Sequence, residues 1–405
     1  MCGIAGFINT NSAPASAVVL KDMMDVIAHR GPDGEGQWVE GEVALGHRRL
    51  AIIDLTAAAH QPMQTADGRY VITYNGEIYN FRELRLELEA KGYRFHSDTD
   101  SEVVLNAFAE WGVQCLLRFN GMFAFAIWDA KQRQLTLARD RYGVKPLYWS
   151  VKGNTCLFGS EVKSILCHPA VKAEMDLPGL MEYCTFQNFF TDKTLFKDIH
   201  LLPAGCYVVL RNGVNSKPEI TRYWDYQFEE PETSKTEDEY AEELDYLFRQ
   251  AVTRQLVSDV DVGGYLSGGM DSGSIAAIAS QQIPNMRTFT CGFDLSSASG
   301  IEMSFDERSA AEQMSNQYKT EHYEMVLKAG DMERCMPAIA HHLEEPRVGQ
   351  SYPNFYISGL AGKFNKVVLA GTGGDELFGG YPWRYYRAVV NDDFEHYTDK
   401  YYSYW

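Results

Sequence analysis

The feature that most limits the fold of this chain is a change of secondary-structure rhythm near its middle. Before about residue 203, short β-rich runs are separated by polar or glycine turns, such as Lys152-Gly153-Asn154. Runs of this kind are typical of antiparallel hairpins. After that point apolar strands alternate with helical stretches, a pattern typical of a parallel, doubly wound sheet. The sequence therefore predicts two domains of different class, an α+β domain followed by an α/β domain.

The chain has 405 residues, which is too many for a single ordinary core. We place the first domain at 1–205, a linker rich in polar residues, prolines and acids at 206–236, and the second domain at 237–405. In the first domain the patterns predict helices at 81–91 and 99–111 and strands at 124–128, 134–139, 146–151 and 156–159. In the second domain they predict helices at 237–257, 274–281, 307–318 and 352–364 and strands at 260–266, 287–293, 322–327 and 366–370.

Charge and cysteine usage narrow the class of protein. The formal net charge of -18 argues against a general nucleic-acid binder and against docking on an anionic membrane. The densest apolar run, 121–128, has the length of a strand rather than of a membrane span. No basic stretch followed by an apolar stretch opens the chain, so no secretory signal is predicted. The eight cysteines lack CxxC or metal-ligand spacing, which favours reduced thiols in a cytoplasmic protein.

The first candidate for chemistry is Cys2. Removal of Met1 would leave a thiol and a free α-amine on the same residue. An α-amine has an ordinary pKa of about 8, so it can act as a base toward that thiol. Taken alone, Cys2 is explained more simply as a small apolar residue that opens a strand.

Three further elements of the first half carry polar groups suited to a binding pocket. Arg49 supplies a fixed cation at a strand end. Asn75-Gly76 places a side-chain amide beside a glycine just after an apolar strand, and an amide NH₂ with a neighbouring backbone N–H suits an oxyanion hole. Asn-Gly is also a common hairpin turn. Asp100 could bind an ammonium group or cap a helix.

Together these segments resemble the class II glutamine amidotransferase domain over nearly all of residues 1 to 205. The resemblance also rests on the segments Ala28-His29-Arg30-Gly31-Pro32-Asp33 and Ala138-Arg139-Asp140-Arg141-Tyr142-Gly143-Val144-Lys145-Pro146-Leu147-Tyr148. It implies an N-terminal-nucleophile hydrolase fold, with two antiparallel sheets between helical layers. It also implies that Cys2 attacks the glutamine amide and that Asn75 and the Gly76 N–H hold the oxyanion. In the same resemblance Arg49 binds the carboxylate of glutamine and Asp100 its α-ammonium, and Glu77 orders the pocket.

The second candidate for chemistry is the run Leu266-Ser267-Gly268-Gly269-Met270-Asp271-Ser272, which follows a strand and opens a helix. Small residues in that context let backbone N–H groups approach phosphate, and the helix dipole favours negative charge. The run is not a Walker A loop, because no Lys-Ser/Thr pair follows the glycines. The alternative is a tight strand-to-helix turn without a ligand.

This run resembles the pyrophosphate loop of the ATP pyrophosphatases, and with the first domain it is similar to the glutamine-hydrolysing asparagine synthetase family. The resemblance implies an adenine nucleotide α-hydrolase-like fold. It implies that ATP and magnesium are bound. The pyrophosphate end of ATP would be held by Ser267, Gly268, Gly269, Asp271 and Ser272. Leu266 and Cys291 would flank the adenosine, Ala370 and Gly371 would approach it by backbone, and Asp271 and Asp375 would meet magnesium.

Three departures from the family pattern limit what can be carried over. Thr372 stands where the family usually has an acidic residue before Gly-x-Asp-Glu, and Gly349 stands where it often has an aspartate. The chain also ends at Trp405, before the helices with which the family continues, so we expect a fragment or a truncated form. The first two departures leave the identity of the adenylylated acid open.

The resemblance implies a ligase that hydrolyses glutamine and uses the ammonia to amidate an acid activated by ATP. Aspartate, giving asparagine, is the first choice of acceptor. Alternatives are a relative that amidates a sugar, a peptide or a secondary metabolite, a form with glutaminase activity alone, and a binding or regulatory protein without turnover. We expect no nucleic-acid or membrane partner, and the family suggests a homodimer.

Overall fold

The computed structural model describes residues 1–211, 218–229, 235–296, 306–346 and 351–380. The chain forms two compact units. Unit 1 consists of Met1–Ala241, Val257–Asp259 and Pro337–Val348, and unit 2 consists of Glu242–Leu256, Val260–Met336 and Gly349–Trp405.

The strands of unit 1 form two six-stranded antiparallel sheets. In chain order they are β1 (Gly3–Asn9), β2 (Gly34–Glu40), β3 (Val43–Arg49), β4 (Met63–Gln64), β5 (Tyr70–Ile78), β6 (Gly121–Asp129), β7 (Gln134–Arg139), β8 (Tyr148–Lys152), β9 (Thr155–Gly159), β10 (His200–Leu201), β11 (Cys206–Arg211) and β12 (Ile220–Arg222). The first sheet has the order β10-β8-β9-β1-β3-β2 and the second the order β12-β11-β7-β6-β5-β4. Strand β1 therefore lies inside the first sheet, so the residue that precedes it is fixed by two neighbouring strands.

The helices of unit 1 are α1 (Ala17–Asp25), α2 (Phe81–Ala90), α3 (Asp100–Trp111), α4 (Cys115–Arg118), α5 (Val162–Leu166) and α6 (Leu177–Phe186), with short 3-10 turns at Ala28–Arg30, Ala57–Ala59 and Gly112–Gln114. Side chains cap the starts of α1, α3 and α6. Ser16 accepts the N–H of Val19, and Asp176 accepts the N–H of Gly179 at 2.6 Å. Such caps satisfy backbone donors that the first helical turn leaves without partners.

Three apolar clusters give unit 1 its layers. One is shared by the two sheets and includes Ile4 and Phe158 from the first and Ala124 and Leu137 from the second. A second cluster packs the outer face of the first sheet against α1 and α5, and a third packs the outer face of the second sheet against α2 and α3. Full burial of such side chains contributes about 1.5–3 kcal/mol each. The α/β/β/α arrangement implied by the resemblance is therefore confirmed.

The stretch predicted as a linker contains two strands of the second sheet. Residues of β11 pair with β7 from Tyr207 to Arg211, and β12 pairs with β11. Alternate side chains of β11 are buried, as expected for a strand with one face on a core. Residues 212–217 and 230–234 of the same stretch lie outside the described residues.

Unit 2 contains a parallel sheet with helices. Its strands are β13 (Val262–Tyr265), β14 (Arg287–Phe293), β15 (Glu321–Leu327) and β16 (Val367–Leu369), and the helices from residue 237 onward are α7 (Glu237–Gln255), α8 (Met270–Ala279), α9 (Arg308–Tyr318), α10 (Asp331–Leu343), α11 (Ser351–Ala361) and α12 (Gly374–Phe378). Helices α7 and α10 each have one end in unit 1. The α/β class predicted for the second half is confirmed.

The strand order β15-β14-β13-β16 has a reversal between β13 and β16. All three ladders are parallel. In open α/β sheets, ligands bind beyond the carboxyl ends of the strands at such a reversal. The segments that follow β13 and β16 are therefore the places in unit 2 to look for a ligand site.

Across the described ranges, no helix is both long enough and apolar enough to cross a membrane.

Candidate functional site

Cys2 is held from two sides in unit 1. It directly precedes β1, and its Sγ lies 3.3 Å from the N–H of Leu50, which follows β3. The thiol lies 3.6 Å from the carbonyl oxygen of the same residue. On the backbone side, the Nε of Arg30 donates to the Cys2 carbonyl at 3.1 Å. The thiol therefore has a fixed position.

The surroundings of Cys2 also favour a neutral amine. Burial lowers the pKa of the Met1 amino group to about 6; Cys2 opposes this shift, and the charges of Arg30 and Lys145 add to it. Burial and these cations therefore disfavour a charged amine at this end of the chain. Burial raises the pKa of the Cys2 thiol, while the Leu50 N–H and the terminal amine act against that rise. A nearby base is therefore what this thiol needs to react.

Asn75 and Gly76 lie inside strand β5, opposite Ala124 and Phe123 of β6. The hairpin alternative, and the expected position after the strand, are therefore wrong, because β6 continues the ladder past both residues. The Asn75 side chain is buried, and its Nδ2 has no hydrogen-bond partner among the described residues. A Cβ on Gly76 would come within 2.6 Å of the Met122 carbonyl oxygen. Glycine is thus needed here for the sheet to close.

Two acidic residues lie close together here, Glu77 in β5 and Asp100 at the start of α3. The Asp100 carboxylate accepts the Tyr74 hydroxyl at 2.6 Å and the Ile78 N–H at 2.9 Å. It does not cap helix α3, because Thr99 does so by accepting the N–H of Ser101. Burial raises the pKa of both Asp100 and Glu77, and the charge of Asp100 raises that of Glu77 further. The Oε1 of Glu77 is buried, and no described residue bonds to it.

Arg49, at the end of β3, is a buried cation, and the Asp54 carboxylate lies within electrostatic range of it. Its guanidinium donates to the carbonyl oxygens of Thr56, at 2.8 Å, and of Asp54. It forms no ion pair within the described ranges. A buried charge normally has a partner, so this geometry fits a site for an anionic ligand group.

Lys145 is a further buried cation in this unit, to which the sequence motifs assign no role. The loop that carries it is tied by Asp140, which accepts the N–H groups of Val144 and Lys145, and by Arg139, which donates to the Lys145 carbonyl at 2.8 Å. The lysine is buried, and its ammonium has neither a hydrogen bond nor an ion pair in the described part of the chain. It lies within electrostatic range of Cys2 and Glu77. The only signal in the sequence was its place in the segment from Ala138 to Tyr148.

In unit 2 the run from Leu266 to Ser272 forms a compact loop between β13 and α8. The hydroxyl of Ser272 accepts the Ser267 N–H at 3.0 Å and lies 2.8 Å from the Ser267 hydroxyl. The Gly269 N–H donates to the Ser267 hydroxyl at 3.1 Å. Helix α8 begins at Met270, four residues earlier than predicted, so that Asp271 and Ser272 belong to its first turn.

A second loop, after β16, lies against the first. A Cβ on Gly371 would come within 2.8 Å of the Ser272 nitrogen, and a Cβ on Gly374 within 2.2 Å of the Asp271 carboxylate. Both glycines are therefore needed for the two loops to approach. This contact joins the Ser-Gly-Gly run and the Gly371–Asp375 segment at the β13/β16 reversal, where the topology predicts a ligand.

The remaining residues predicted to contact ATP lie in or directly after strands β13, β14 and β16. Leu266 is buried, with its N–H bonded to the Phe289 carbonyl at 2.9 Å. Ala370 is exposed directly after β16. Cys291 lies half-buried in β14, and burial raises its thiol pKa to about 11, so it is an apolar lining residue rather than a nucleophile.

The two acids predicted to meet magnesium have chemistry that fits a cation. The Asp271 carboxylate reaches Gly374, the residue before Asp375. Within the described ranges, neither carboxylate forms a hydrogen bond or an ion pair. Magnesium prefers one or two carboxylates together with substrate phosphates, and the described residues contain no cluster of three or more metal-ligating side chains. Asp271 and Asp375 would therefore hold the ion jointly with a nucleotide.

Of the departures from the family pattern, only Thr372 is visible. It is exposed in the second loop, next to Gly373. Gly349 and residues 381–405 lie outside the described residues.

Comparisons with known proteins agree with the two units. Residues 1–224 match a glutamine amidotransferase domain family, and residues 243–403 match the asparagine synthase family. Asparagine synthetase [glutamine-hydrolyzing] 3 of Bacillus subtilis is 37% identical over 416 residues, covering 97% of this chain and 65% of that protein. A putative asparagine synthetase of Methanocaldococcus jannaschii is 32% identical over 404 residues, covering 94% and 76%. Amidase chry2 of Gibberella zeae is 31% identical over 410 residues, covering 94% and 59%.

The chain thus spans about two thirds or less of the length of most of these relatives, and the matched segments run through both units. The two family matches occur in the order that the sequence motifs predicted. The chain belongs to the glutamine-hydrolysing asparagine synthetase family.

Proposed function

We propose that this chain is a glutamine-dependent amidotransferase with Cys2 as its nucleophile. The observation that carries the proposal is the orphaned Nδ2 of Asn75, a buried donor that lacks an acceptor in the described part of the chain. An unsatisfied buried donor costs about 1–3 kcal/mol, and it is stabilised when a ligand oxygen accepts from it. Arg49, a buried cation that forms no ion pair in the described part of the same unit, supports the binding of a carboxylate.

In the proposed first half-reaction, the Cys2 sulfur attacks the carbonyl carbon of the glutamine side-chain amide. The thiol proton passes to the Cys2 α-amine, and Asn75 Nδ2 and the Gly76 N–H hold the oxyanion. Collapse of the tetrahedral intermediate transfers that proton to the leaving nitrogen and releases ammonia, with a thioester left on Cys2. Water then hydrolyses the thioester to glutamate. Asp100 binds the α-ammonium of glutamine, and Glu77 orders the pocket.

In the second half-reaction, a substrate carboxylate attacks the α-phosphorus of ATP and pyrophosphate leaves. Ser267, Gly268, Gly269 and Ser272 hold the pyrophosphate end, and Asp271 and Asp375 would hold magnesium, which would offset charge on the phosphates when bound. Ammonia then attacks the acyl carbon, and AMP leaves as the amide forms. The acceptor that the relatives support best is aspartate, giving asparagine.

A different acceptor is the second candidate, and it is favoured by Thr372. An exposed hydroxyl replaces a carboxylate in the loop beside Asp271, so the local charge facing the adenylylated acid differs. The similarity to an amidase from Gibberella zeae agrees with a family that acts on more than one class of substrate.

Release of AMP and pyrophosphate with ammonium chloride and a panel of acids would separate these candidates. The panel would contain aspartate, glutamate, amino sugars with a carboxylate and short acidic peptides. We expect aspartate to give the highest kcat/KM. A non-aspartate acid with at least a tenfold higher kcat/KM would replace aspartate as the acceptor, and no AMP with any acid would remove the ATP-dependent half of the proposal.

Asn75→Ala tests the oxyanion hole. Loss of one such donor lowers kcat about 100-fold or more, because the interaction strengthens only as charge develops in the transition state. We therefore expect kcat for glutamine hydrolysis to fall by about that factor with KM changed less than threefold. Asn154→Ala, in the exposed turn between β8 and β9, serves as the control. A KM effect without a kcat effect would place Asn75 in substrate binding instead.

Lys145→Met tests the buried cation. The charge of Lys145 lowers the pKa values of the Cys2 thiol and of the neighbouring Met1 amine, so we expect its removal to raise the pKa of the Cys2 α-amine as well. The acid limb of the pH profile of kcat/KM for glutamine should then move to higher pH, since the base must be deprotonated. Lys172→Met, which removes an exposed lysine, should leave the limb in place. An unchanged limb in the Lys145 variant would show that this charge does not act on the nucleophile.

A further inference from the structure

A line of alternating buried charges starts at the backbone of the nucleophile in unit 1. Arg30 donates from Nε to the Cys2 carbonyl at 3.1 Å and from Nη1 to Glu161 Oε1 at 2.7 Å. Glu161 also forms an ion pair with Lys163 through Oε2. Lys163 Nζ in turn lies 3.2 Å from Glu344 Oε1. The order is cation, anion, cation, anion, with no formal charge in excess.

These four side chains are shielded from water. Their exposed fractions are 9% for Arg30, 7% for Glu161, 13% for Lys163 and 8% for Glu344. Charges buried to this degree hold their geometry strongly, because removal of one partner leaves another charge without compensation. Loss of one charge in the line therefore leaves its neighbour without compensation.

Glu161 is the node of the line. It is bonded to Arg30 and Lys163 and lies 2.8 Å from His29 Nε2. These contacts overcome the effect of burial and lower the pKa of the Glu161 carboxyl to about 2. It is therefore ionised near neutral pH, and its bond to Arg30 holds that side chain beside the Cys2 carbonyl.

Glu344 closes the far end, and it comes from a distant part of the sequence. It belongs to Pro337–Val348, a segment that is part of unit 1 by its contacts but falls within residues 243–403, which match the asparagine synthase family. Its two carboxylate oxygens accept the N–H groups of Val162 and Lys163 at 2.6 Å each, at the start of helix α5. Glu344 thus accepts two backbone hydrogen bonds next to Glu161, and it is not among the residues proposed to contact substrate.

We propose that Glu344 is a positioning residue for the Cys2 nucleophile, acting through Lys163, Glu161 and Arg30. The inference rests on the proposed glutaminase function and adds to it a residue from the sequence region of the other family. Without the Glu344 charge, Lys163 is left with Glu161 alone, and two backbone donors of α5 lose an anionic acceptor. Glu161 then shifts toward Lys163, and its hold on Arg30, and through it on the Cys2 carbonyl, loosens.

The test compares Glu344→Gln with wild type in the full chain. Small displacements of a nucleophile cost rate rather than binding, so we expect kcat for glutamine hydrolysis to fall about tenfold with KM within a factor of two. The rate of Cys2 alkylation by iodoacetamide, followed by peptide mass, should fall in parallel. Glu333→Gln, an exposed acid on α10, the helix that ends directly before Glu344, is the matched control and should behave as wild type.

Two further variants separate positioning from loss of folding. Glu344→Asp keeps the charge with a shorter reach, and it should lose about threefold in kcat; it also replaces the glutamine variant if that does not fold. Lys163→Met combined with Glu344→Gln should lose no more than the worse single change, since both act along one line. Rates are normalised to the amount of alkylatable Cys2, so that an unfolded fraction is not counted as a slower enzyme.

A wild-type kcat in a folded Glu344→Gln variant would overturn the inference, as would a loss confined to KM or additive losses in the double variant. The proposed function fails separately. If wild-type protein hydrolyses glutamine and Cys2→Ala does not, but Glu344→Gln is unaffected, only the role of Glu344 is lost.

Discussion

Replacing Cys2 with alanine is expected to reduce glutamine hydrolysis by at least about 10,000-fold. The thiol is the only group in the proposed reaction that bonds to the substrate carbon, and loss of a covalent nucleophile leaves only the smaller contributions of binding and the oxyanion hole. Ammonia release from glutamine, measured with the N-terminus checked by intact mass, gives the result directly. The same variant supplied with ammonium chloride should keep the ATP-dependent reaction, because free ammonia replaces the product of the lost step.

Cys184→Ala is the matched control, since that cysteine is exposed and lies far from β1 in the sequence. It should hydrolyse glutamine at the wild-type rate. Ammonia release by Cys2→Ala within tenfold of wild type would show that another group is the nucleophile, and the N-terminal assignment would then be abandoned.

Replacing Asp271 with asparagine is expected to lower ATP-dependent release of pyrophosphate on the order of 1000-fold. Its carboxylate is unpaired within the described ranges and reaches the second loop at Gly374, where a magnesium ion bound to the triphosphate would need a carboxylate ligand. A metal ion contributes several kcal/mol to stabilising charge on transferring phosphate groups, and each 1.36 kcal/mol is a factor of ten in rate. Glutamine hydrolysis should be unchanged, because Asp271 belongs to unit 2 and Cys2 to unit 1.

The control for this change is Asp261→Asn, which neutralises an exposed carboxylate just before β13 in the same unit. Raising magnesium tenfold should recover part of the Asp271→Asn rate if the loss lies in metal binding. Wild-type pyrophosphate release by Asp271→Asn would remove this residue from the nucleotide site.

The fold of the second half could be read closely from the sequence. Strand β14 has the predicted bounds, and helix α9 begins one residue later than predicted. Buried parallel strands are continuous apolar runs and the helices between them are amphipathic, so local pattern carries the information. Helix α10 was not predicted, because it contains Pro337, which ordinarily disfavours a helix interior.

The stretch between the domains was harder to predict. The polar composition of 211–236 predicts a linker, yet 206–211 and 220–222 complete the second sheet as β11 and β12. Strand β12 is the edge of this sheet, and short, partly exposed edge strands resemble a linker in composition. What places them is the ladder with β7, whose residues lie about 70 positions earlier in the sequence.

Some residues of the candidate sites could be predicted from local sequence, and others depend on contacts between distant parts of the chain. Cys2 and the Ser-Gly-Gly run lie within short segments whose spacing already indicates chemistry. The missing partner of Asn75 and the isolation of Lys145 depend on which strands and loops surround them. Glu344 could not be predicted at all, since its contact with Lys163 joins residues 181 positions apart.

The measurement that tests the central claim most directly follows the amide nitrogen of glutamine. Wild-type protein is incubated with glutamine labelled with ¹⁵N in the side-chain amide, ATP, magnesium and aspartate, and labelled products are identified by mass. We expect a ¹⁵N-labelled amide of the acid, with one AMP and one pyrophosphate formed for each amide. Release of labelled ammonia and glutamate without AMP, labelled amide or pyrophosphate would contradict it and leave a glutaminase alone.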